Sequence, residues 1–395
     1  MRSVSPDEQK RESLRYIATQ LRMPRSIERI VGFAGSQAMG DFLMEHVFYA
    51  TVAHMAGCRD LTVIYRDDRP YKKVIAALNR QATRHVSYSA PGDAFPIDWF
   101  DIGYNAPLVA PMPRWYDDFT FMPDLVMTPS MVFNTAFLKE HAGLAFAAED
   151  VSRLTPALAA AGVPEGQWFV GLHVRESRYA FRDNIDPSRS SDPNTFLEAI
   201  RVIRDVGGCV VRIGDEAQSP LPSMDGLIDL SRIPGSFELQ AFAFSRARFN
   251  LVTDSGPAAL SSALRVPTVA TNSFTREAVF NPADLVLLKR VRLRGVGEVE
   301  YGGPEYLANG WPDLDLRFIQ AAKAPELDGS AIEGFAPNTP EQICEVVGMA
   351  LEDTAGFEGW RPTPAPLPAL EARKLAWPFD MAPPQARVWT PNGPA

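Results

Sequence analysis

Short apolar runs alternate along this chain with stretches in which apolar residues recur every three to four positions, the signatures of buried strands and of amphipathic helices. In the first half, residues 7–22 read as a charged helix and Ile27 to Phe33 as a strand. Ala34-Gly-Ser-Gln-Ala-Met-Gly40 then makes a glycine-bearing turn. From Asp41 to Ala56, residues Phe42, Leu43, Val47, Phe48, Val52 and Met55 fall near helical spacing, and Asp41 is placed to cap that helix or to sit in its first turn. A strand from Leu61 to Tyr65 and a helix from Tyr71 to Asn79 complete a βαβ order, consistent with a Rossmann-like half. Residues 87–135 are rich in proline and aromatics, offer no regular period and read as ordered loops.

The second half alternates more clearly. A helix from about Ala148 to Ala161, stopped by Gly162 and Pro164, leads to a strand over 168–174, a loop over 176–192 and a helix over 193–206 capped by Asp192. Strands are expected at 209–213, 227–230, 249–253 and 267–270, with helices at 236–247 and 257–264. That order is one of a doubly wound parallel sheet. Residues 275–325 read as irregular. Asn338 or Thr339 caps a further helix that has Pro340 at its first position and runs to about Leu351, and the tail from Trp360 is proline-rich and extended. The expected divisions are 1–160, 161–355 and a tail over 356–395.

Composition narrows the function. A net charge of −9 opposes general nucleic-acid binding, so an anionic ligand needs a local arginine cluster. Three widely spaced cysteines, Cys58, Cys209 and Cys344, fit neither a disulfide framework nor a zinc site. The first 23 residues carry charges throughout, and no run reaches the roughly 18 apolar residues that cross a bilayer, so a cytoplasmic protein with no integral membrane segment is expected.

The candidate chemistry lies at strand ends. Trp168-Phe-Val-Gly-Leu-His-Val-Arg-Glu-Ser-Arg178 is an apolar run that breaks into charge, and His173 and Arg175 alternate onto one side of the sheet. Cys209-Val-Val-Arg-Ile-Gly-Asp215 brings Arg212, Gly214 and Asp215 to a second strand end, and Phe249-Asn-Leu-Val-Thr-Asp-Ser-Gly256 brings Asp254, Ser255 and Gly256 to a third. Arginine forks and the N–H groups of a helix start suit phosphate, whereas ion pairing of an arginine to Glu176 or Asp215, or capping by Asp254 or Ser255, is the purely structural alternative. Arg178 and Arg182 divide evenly between site and surface. Asp313-Leu-Asp315, Asp67-Asp68 and Asp117-Asp118 read as solvated turns, and no metal site is expected.

Taken together, His-Val-Arg-Glu-Ser, Val-Val-Arg-Ile-Gly-Asp, Thr-Asp-Ser-Gly-Pro with Val-Pro-Thr-Val-Ala-Thr-Asn, and Asn-Thr-Pro-Glu-Gln resemble a bacterial glycosyltransferase family, itself similar to the fucosyltransferases of the GT-B fold. The resemblance covers about residues 165–350. It implies an α/β architecture of two Rossmann-like domains facing a cleft, with the acceptor on the N-terminal side and a nucleoside-diphosphate sugar donor on the C-terminal side. By likeness to His-x-Arg-x-x-Asp, His173 and Arg175 become the donor-phosphate pair, although Arg178 stands where that pattern has Asp.

An inverting transfer needs a base for the acceptor hydroxyl. Asp41 is the first candidate, with Glu45 and His46 in reserve, and Gly35, Gln37 and Gly40 allow close approach of a ligand to the turn. The activity that the resemblance implies is metal-independent transfer of a sugar to a hydroxyl or amine, with no cofactor. The alternatives are a nucleotide-sugar epimerase on the same fold and a non-catalytic sugar-nucleotide-binding protein.

Overall fold

The computed structural model describes residues 27–88, 124–127, 143–176, 190–273, 279, 281, 283–293, 295, 297–300, 332–362, 387–390 and 393–394. They form two compact units. One reaches to Val151 and includes Ala263–Arg265; the other runs from Ser152 to Ser262, from Val266 to Pro362 and through the described residues at 387–394.

In the first unit β1 (Arg29–Ala34), β2 (Asp60–Arg66), β3 (Arg84–Tyr88) and β4 (Leu125–Met127) form a parallel sheet in the order β3-β2-β1-β4. α1 (Met39–Met55) follows β1, and α2 (Pro70–Leu78) follows β2. Gly32 lets α1 approach the sheet: a Cβ there would come within 2.5 Å of the Tyr49 ring, whose hydroxyl donates to Phe33 O (2.6 Å). α1 starts two residues before Asp41. Its N-cap is Ala38, with no side-chain cap, so Asp41 lies exposed in the first turn and does not cap. β3 has no clear sequence signal because Arg84-His-Val-Ser-Tyr88 is largely polar, as suits a sheet edge. β4 lies inside the proline and aromatic stretch expected to be loops, and three residues are too few to show a period.

α3 (Ala148–Ala160) carries the chain past Val151 to β5 (Phe169–His173). The expected helix after Asp192 divides into a 3-10 turn (Pro193–Phe196), with Asp192 accepting from Asn194 N–H, and α4 (Leu197–Asp205). Then follow β6 (Cys209–Arg212), β7 (Leu227–Asp229), α5 (Phe237–Arg246), β8 (Phe249–Thr253), α6 (Gly256–Ala263) and β9 (Thr268–Ser273). The region read as irregular contains β10 (Leu285–Leu288), β11 (Arg290–Leu293) and β12 (Gly297–Glu300). Arg290-Val-Arg-Leu293 does alternate with period two, whereas β10 takes one of its two partners, the strand at Arg387–Thr390, from distant chain. β13 (Ile332–Ala336) precedes α7 (Pro340–Asp353), which opens on a full capping box between Thr339 and Gln342. From the tail, β14 (Arg387–Thr390) pairs parallel with β10, and β15 (Gly393–Pro394) folds back on β14.

The main sheet runs β15-β14-β10-β9-β8-β5-β6-β7, parallel except at β15, while β12-β11-β13 form a small antiparallel sheet. β5 and β8 are buried along their whole length, as strands covered on both faces must be. Val170, Leu172 and Leu251 pack in one core with Ile200 and Ile203 of α4 and with Ile343, Val346 and Val347 of α7. Polar ties set two helices on the sheet: Asn250 Nδ2 donates to Ser261 Oγ of α6 (2.7 Å) and to Phe244 O of α5 (3.1 Å).

Gly171, at the middle of β5, is the tightest point of this packing. A Cβ there would lie 2.0 Å from Asn250 Oδ1 and 2.8 Å from the Phe244 ring. Gly171→Ala is expected to lower the unfolding free energy by about 1–3 kcal/mol, read as an earlier urea midpoint.

Candidate functional site

The strand order of the main sheet reverses between β5 and β8: β6 and β7 lie beyond β5, and β9 and β10 lie beyond β8. Open α/β sheets hold ligands outside the carboxyl ends of strands at such a reversal. His173 ends β5 there, and Ser255 follows the end of β8. Ser255 Oγ lies 3.1 Å from His173 Nδ1 and donates to Thr253 O (2.8 Å). Arg175 N–H donates to Thr253 Oγ1 (2.8 Å), tying the two strand ends a second time. On the other side of the ring, Gln218 Nε2 lies 3.4 Å from His173 Nε2 and donates to Val174 O (2.9 Å). Burial first, then the charges of Arg175 and Arg212, push the His173 imidazole down to about 3, so the ring is neutral.

Arg212 departs from expectation. Its side chain has no exposure and is consumed inside the protein: Nη2 donates to Ser219 O (2.8 Å) and lies 3.4 Å from Glu176 Oε1, and Nη1 lies 3.2 Å from Asp229 Oδ2. Glu176 also accepts from Ser219 N–H (2.9 Å). Arg212 therefore braces the turn after β6 and does not reach the open edge, the physical reason being that a buried guanidinium must be matched by carboxylates and carbonyls. Gly214 and Asp215 belong to the same brace. Gly214 N–H donates to Gln240 Oε1 (2.9 Å), a Cβ on Gly214 would collide with Gln218 Oε1 at 1.9 Å, and Asp215 Oδ1 accepts from Ala217 N–H (2.8 Å).

The start of α6 is poorer in donors than the sequence suggests. Gly256 is its first residue, Pro257 has no N–H, and Ala258 N–H goes to Ser255 O (3.0 Å). Asp254 is nearly buried. Ser255 does not act as a simple helix cap, because its hydroxyl is taken by Thr253 O and His173.

In the first unit β1 is likewise the strand at which the order reverses, with β2 on one side and β4 on the other. The turn after it holds Gly35 and Gly40, both half-buried, and Gln37, exposed, whose carbonyl accepts from Tyr71 OH. Glu45 lies beneath the turn: Ser36 donates its hydroxyl and, at 3.2 Å, its N–H to Glu45 Oε1. Burial raises the Glu45 carboxyl to about 8, against the lowering effect of Ser36. His46 is a packing residue. It is fully buried and stacks edge-on against Phe42 at 4.7 Å, with Asn79 Nδ2 3.3 Å from its Nδ1, and burial then His85 and Lys72 hold it well below its ordinary value. Asp67 and Asp68, expected to be solvated, form ion pairs with Lys73 (2.8 Å) and the buried Lys72 (2.7 Å). The geometry thus leaves Asp41 as the exposed carboxylate of this turn, one helical turn above the buried Glu45.

Sequence reasoning missed Gln218, Ser36 and Lys72. Asp215 and Gly214 mark a turn, yet nothing in the sequence says that Gln218 folds back onto His173. Arg178, Arg182, Asp117-Asp118 and Asp313-Leu-Asp315 lie outside the described residues. Among the described residues no group of three or more His, Cys, Asp or Glu is placed to hold a metal ion, and no helix is long and apolar enough to cross a membrane.

No protein-family model and no curated protein matches the chain. Among solved structures, a family 9 glycosyl transferase from Veillonella parvula is similar at 12% identity, over 84% of this chain and 99% of that one, with a TM-score of 0.54. The Escherichia coli ADP-heptose heptosyltransferase II matches at 13% identity over 68% of this chain and 92% of that one, with a TM-score of 0.43. The first likeness establishes a two-domain α/β fold of the GT-B class. That likeness is to a family 9 protein and carries the fold alone; it adds nothing to the expected resemblance to fucosyltransferases.

Two measurements check this geometry. Arg212→Met leaves Glu176 and Asp229 without their cation and is expected to destabilise the chain by roughly 3 kcal/mol in urea unfolding, whether or not a nucleotide is present. Glu45 holds its proton more tightly folded than unfolded, so its contribution is complete below its unfolded value of 4.5 and is lost as pH rises through about 8. Glu45→Gln is therefore expected to remove a fall in stability of at most about 1.4 kcal/mol per pH unit across that window, measured as urea midpoints at several pH values.

Proposed function

We propose that this protein is a glycosyltransferase that moves a sugar from a nucleoside diphosphate to a hydroxyl or amine acceptor. The observation that carries the reading is the junction of β5 and β8, where Arg175, His173, Ser255 and Gly256 meet at the carboxyl edge of a parallel sheet. The similar fold of a family 9 glycosyl transferase supports it. In this reading Arg175 and the N–H of Gly256 answer the negative charge that develops on the departing diphosphate, which is the interaction that most accelerates such a step. The same cationic charge makes the reaction independent of a metal ion. Asp41 takes the proton of the acceptor hydroxyl, because its side chain is exposed at the turn whereas Glu45 is buried and largely protonated. Asp254 shapes the turn that presents Ser255. Arg212, Gly214 and Asp215 hold the site in place from behind.

Thermal-shift screening against UDP, GDP, ADP, TDP and CMP identifies the donor class. With that donor, Arg175→Ala is expected to lower kcat/KM by about 100- to 1000-fold. Asp41→Asn is expected to lose transfer at a similar level while nucleotide binding stays within about twofold. Normal turnover in either variant removes that residue from the mechanism. Turnover of the nucleotide sugar with no acceptor present assigns the epimerase reading instead.

A further inference from the structure

The hydrogen bonds around His173 run in one direction only. Gln218 Nε2 has two protons and one of them goes to Val174 O (2.9 Å), so the amide cannot be turned over: its oxygen would then face a carbonyl oxygen. The second proton of that amide points at His173 Nε2 (3.4 Å), which must accept it with a lone pair. The imidazole proton is therefore on Nδ1, where it faces Ser255 Oγ (3.1 Å). Ser255 in turn spends its single proton on Thr253 O (2.8 Å). Along this chain Gln218 donates to His173, His173 to Ser255, and Ser255 to a backbone carbonyl.

We infer that Gln218 is a positioning residue that fixes His173 as the neutral Nδ1–H tautomer and thereby presents the Ser255 hydroxyl to a ligand as a hydrogen-bond acceptor only. Each of the two lone pairs of Ser255 Oγ can take one donor; His173 fills one and the other faces the site. A phosphate oxygen carries no proton to give it. The ligand atom at Ser255 is thus a hydroxyl, from the ribose or from the transferred sugar, and naming those two sources rests on the glycosyltransferase reading. His173 itself does not act as a cation toward phosphate or as an acid-base group. Protonating Nε2 would set an N–H against the Gln218 amide donors, with Arg175 and Arg212 adding like charge, and burial already opposes the imidazolium. The main chain of Gln218 is itself held from two sides: its backbone carbonyl accepts from Arg232 (2.7 Å), and its backbone N–H donates to Asp215 O (3.0 Å).

The test is spectroscopic first. In the full-length protein with 15N-labelled histidine, the His173 resonances are assigned by their loss in His173→Asn. A protonated Nδ1 and an unprotonated Nε2, unchanged from about pH 5.5 to 8, is the expected result. An Nε2–H tautomer, or an imidazolium in that range, overturns the proposal. Gln218→Glu replaces the donor with a carboxylate and is expected to bring an imidazolium signature into the neutral range. Gln218→Leu, which keeps the shape, is expected to leave a neutral ring with mixed tautomers. A wild-type signature in both variants overturns the role of Gln218, and should the Glu variant not fold, the Leu variant decides. For the ligand, Ser255→Ala is expected to leave the affinity for inorganic diphosphate within about twofold and to weaken the nucleotide sugar about tenfold, the effect of one lost hydrogen bond. A loss shared by the bare nucleoside diphosphate identifies the ribose, and a loss confined to the nucleotide sugar identifies the transferred sugar. A tenfold loss for inorganic diphosphate overturns the acceptor-only role. If no nucleotide binds the wild type while the Nδ1–H signature is present, the transferase reading and its hydroxyl ligand fail and the tautomer assignment stands.

Discussion

A guanidinium sealed from water at the end of β6 has to be neutralised within the protein, and much of the candidate site descends from that requirement. Arg212 draws in Glu176 from just beyond β5, Asp229 from the end of β7 and the carbonyl of Ser219 from the turn between them. Glu176 in turn anchors the Ser219 N–H, and Arg232 holds the carbonyls of Glu216 and Gln218. The turn over 214–219 is thereby pinned at both of its ends. Only with that turn in place does the Gln218 amide sit where it can read out the ring of His173. A charge buried inside the protein thus governs the geometry of the candidate site.

The two units use one device in different ways. Each has a parallel sheet whose order reverses beside the strand that leads into a glycine-bearing or serine-bearing turn and a helix. In the first unit the turn is underpinned by an uncharged carboxyl, Glu45, bonded to Ser36. In the second it is underpinned by an uncharged imidazole bonded to Ser255. Both supports are titratable groups driven to neutrality by burial, so neither adds charge to the loop that it steadies.

The layout of strands and helices was legible where the period is strong. β5, β8 and α7 fall within a residue or two of their expected limits, because an uninterrupted apolar run and a Thr-Pro-Glu-Gln start are local signals. β3, β4 and β10 were not legible, since a short or polar strand is defined by its neighbours in the sheet and those come from elsewhere in the chain. The site divides in the same way. The sequence places His173, Arg175 and Ser255 at strand ends, and strand ends are where a parallel sheet exposes its polar groups. It cannot show that Arg212 is locked into the interior, because the carboxylates that hold that guanidinium, Glu176 and Asp229, are brought together only by folding. Gln218 was invisible for the same reason.

β10 and β14 carry a separate lesson about assembly. The strand that covers one flank of the principal sheet is supplied by residues far downstream of its neighbour, and it is aligned in parallel, a pairing that no tight turn can nucleate. Until that late segment arrives, β10 presents an open row of amides and carbonyls beside a finished core. Closing so long a loop is entropically slow. A growing chain would therefore hold a sticky flank while the residues between Leu288 and Arg387 are made, which makes this a point at which a newly made molecule is exposed to pairing with a stranger.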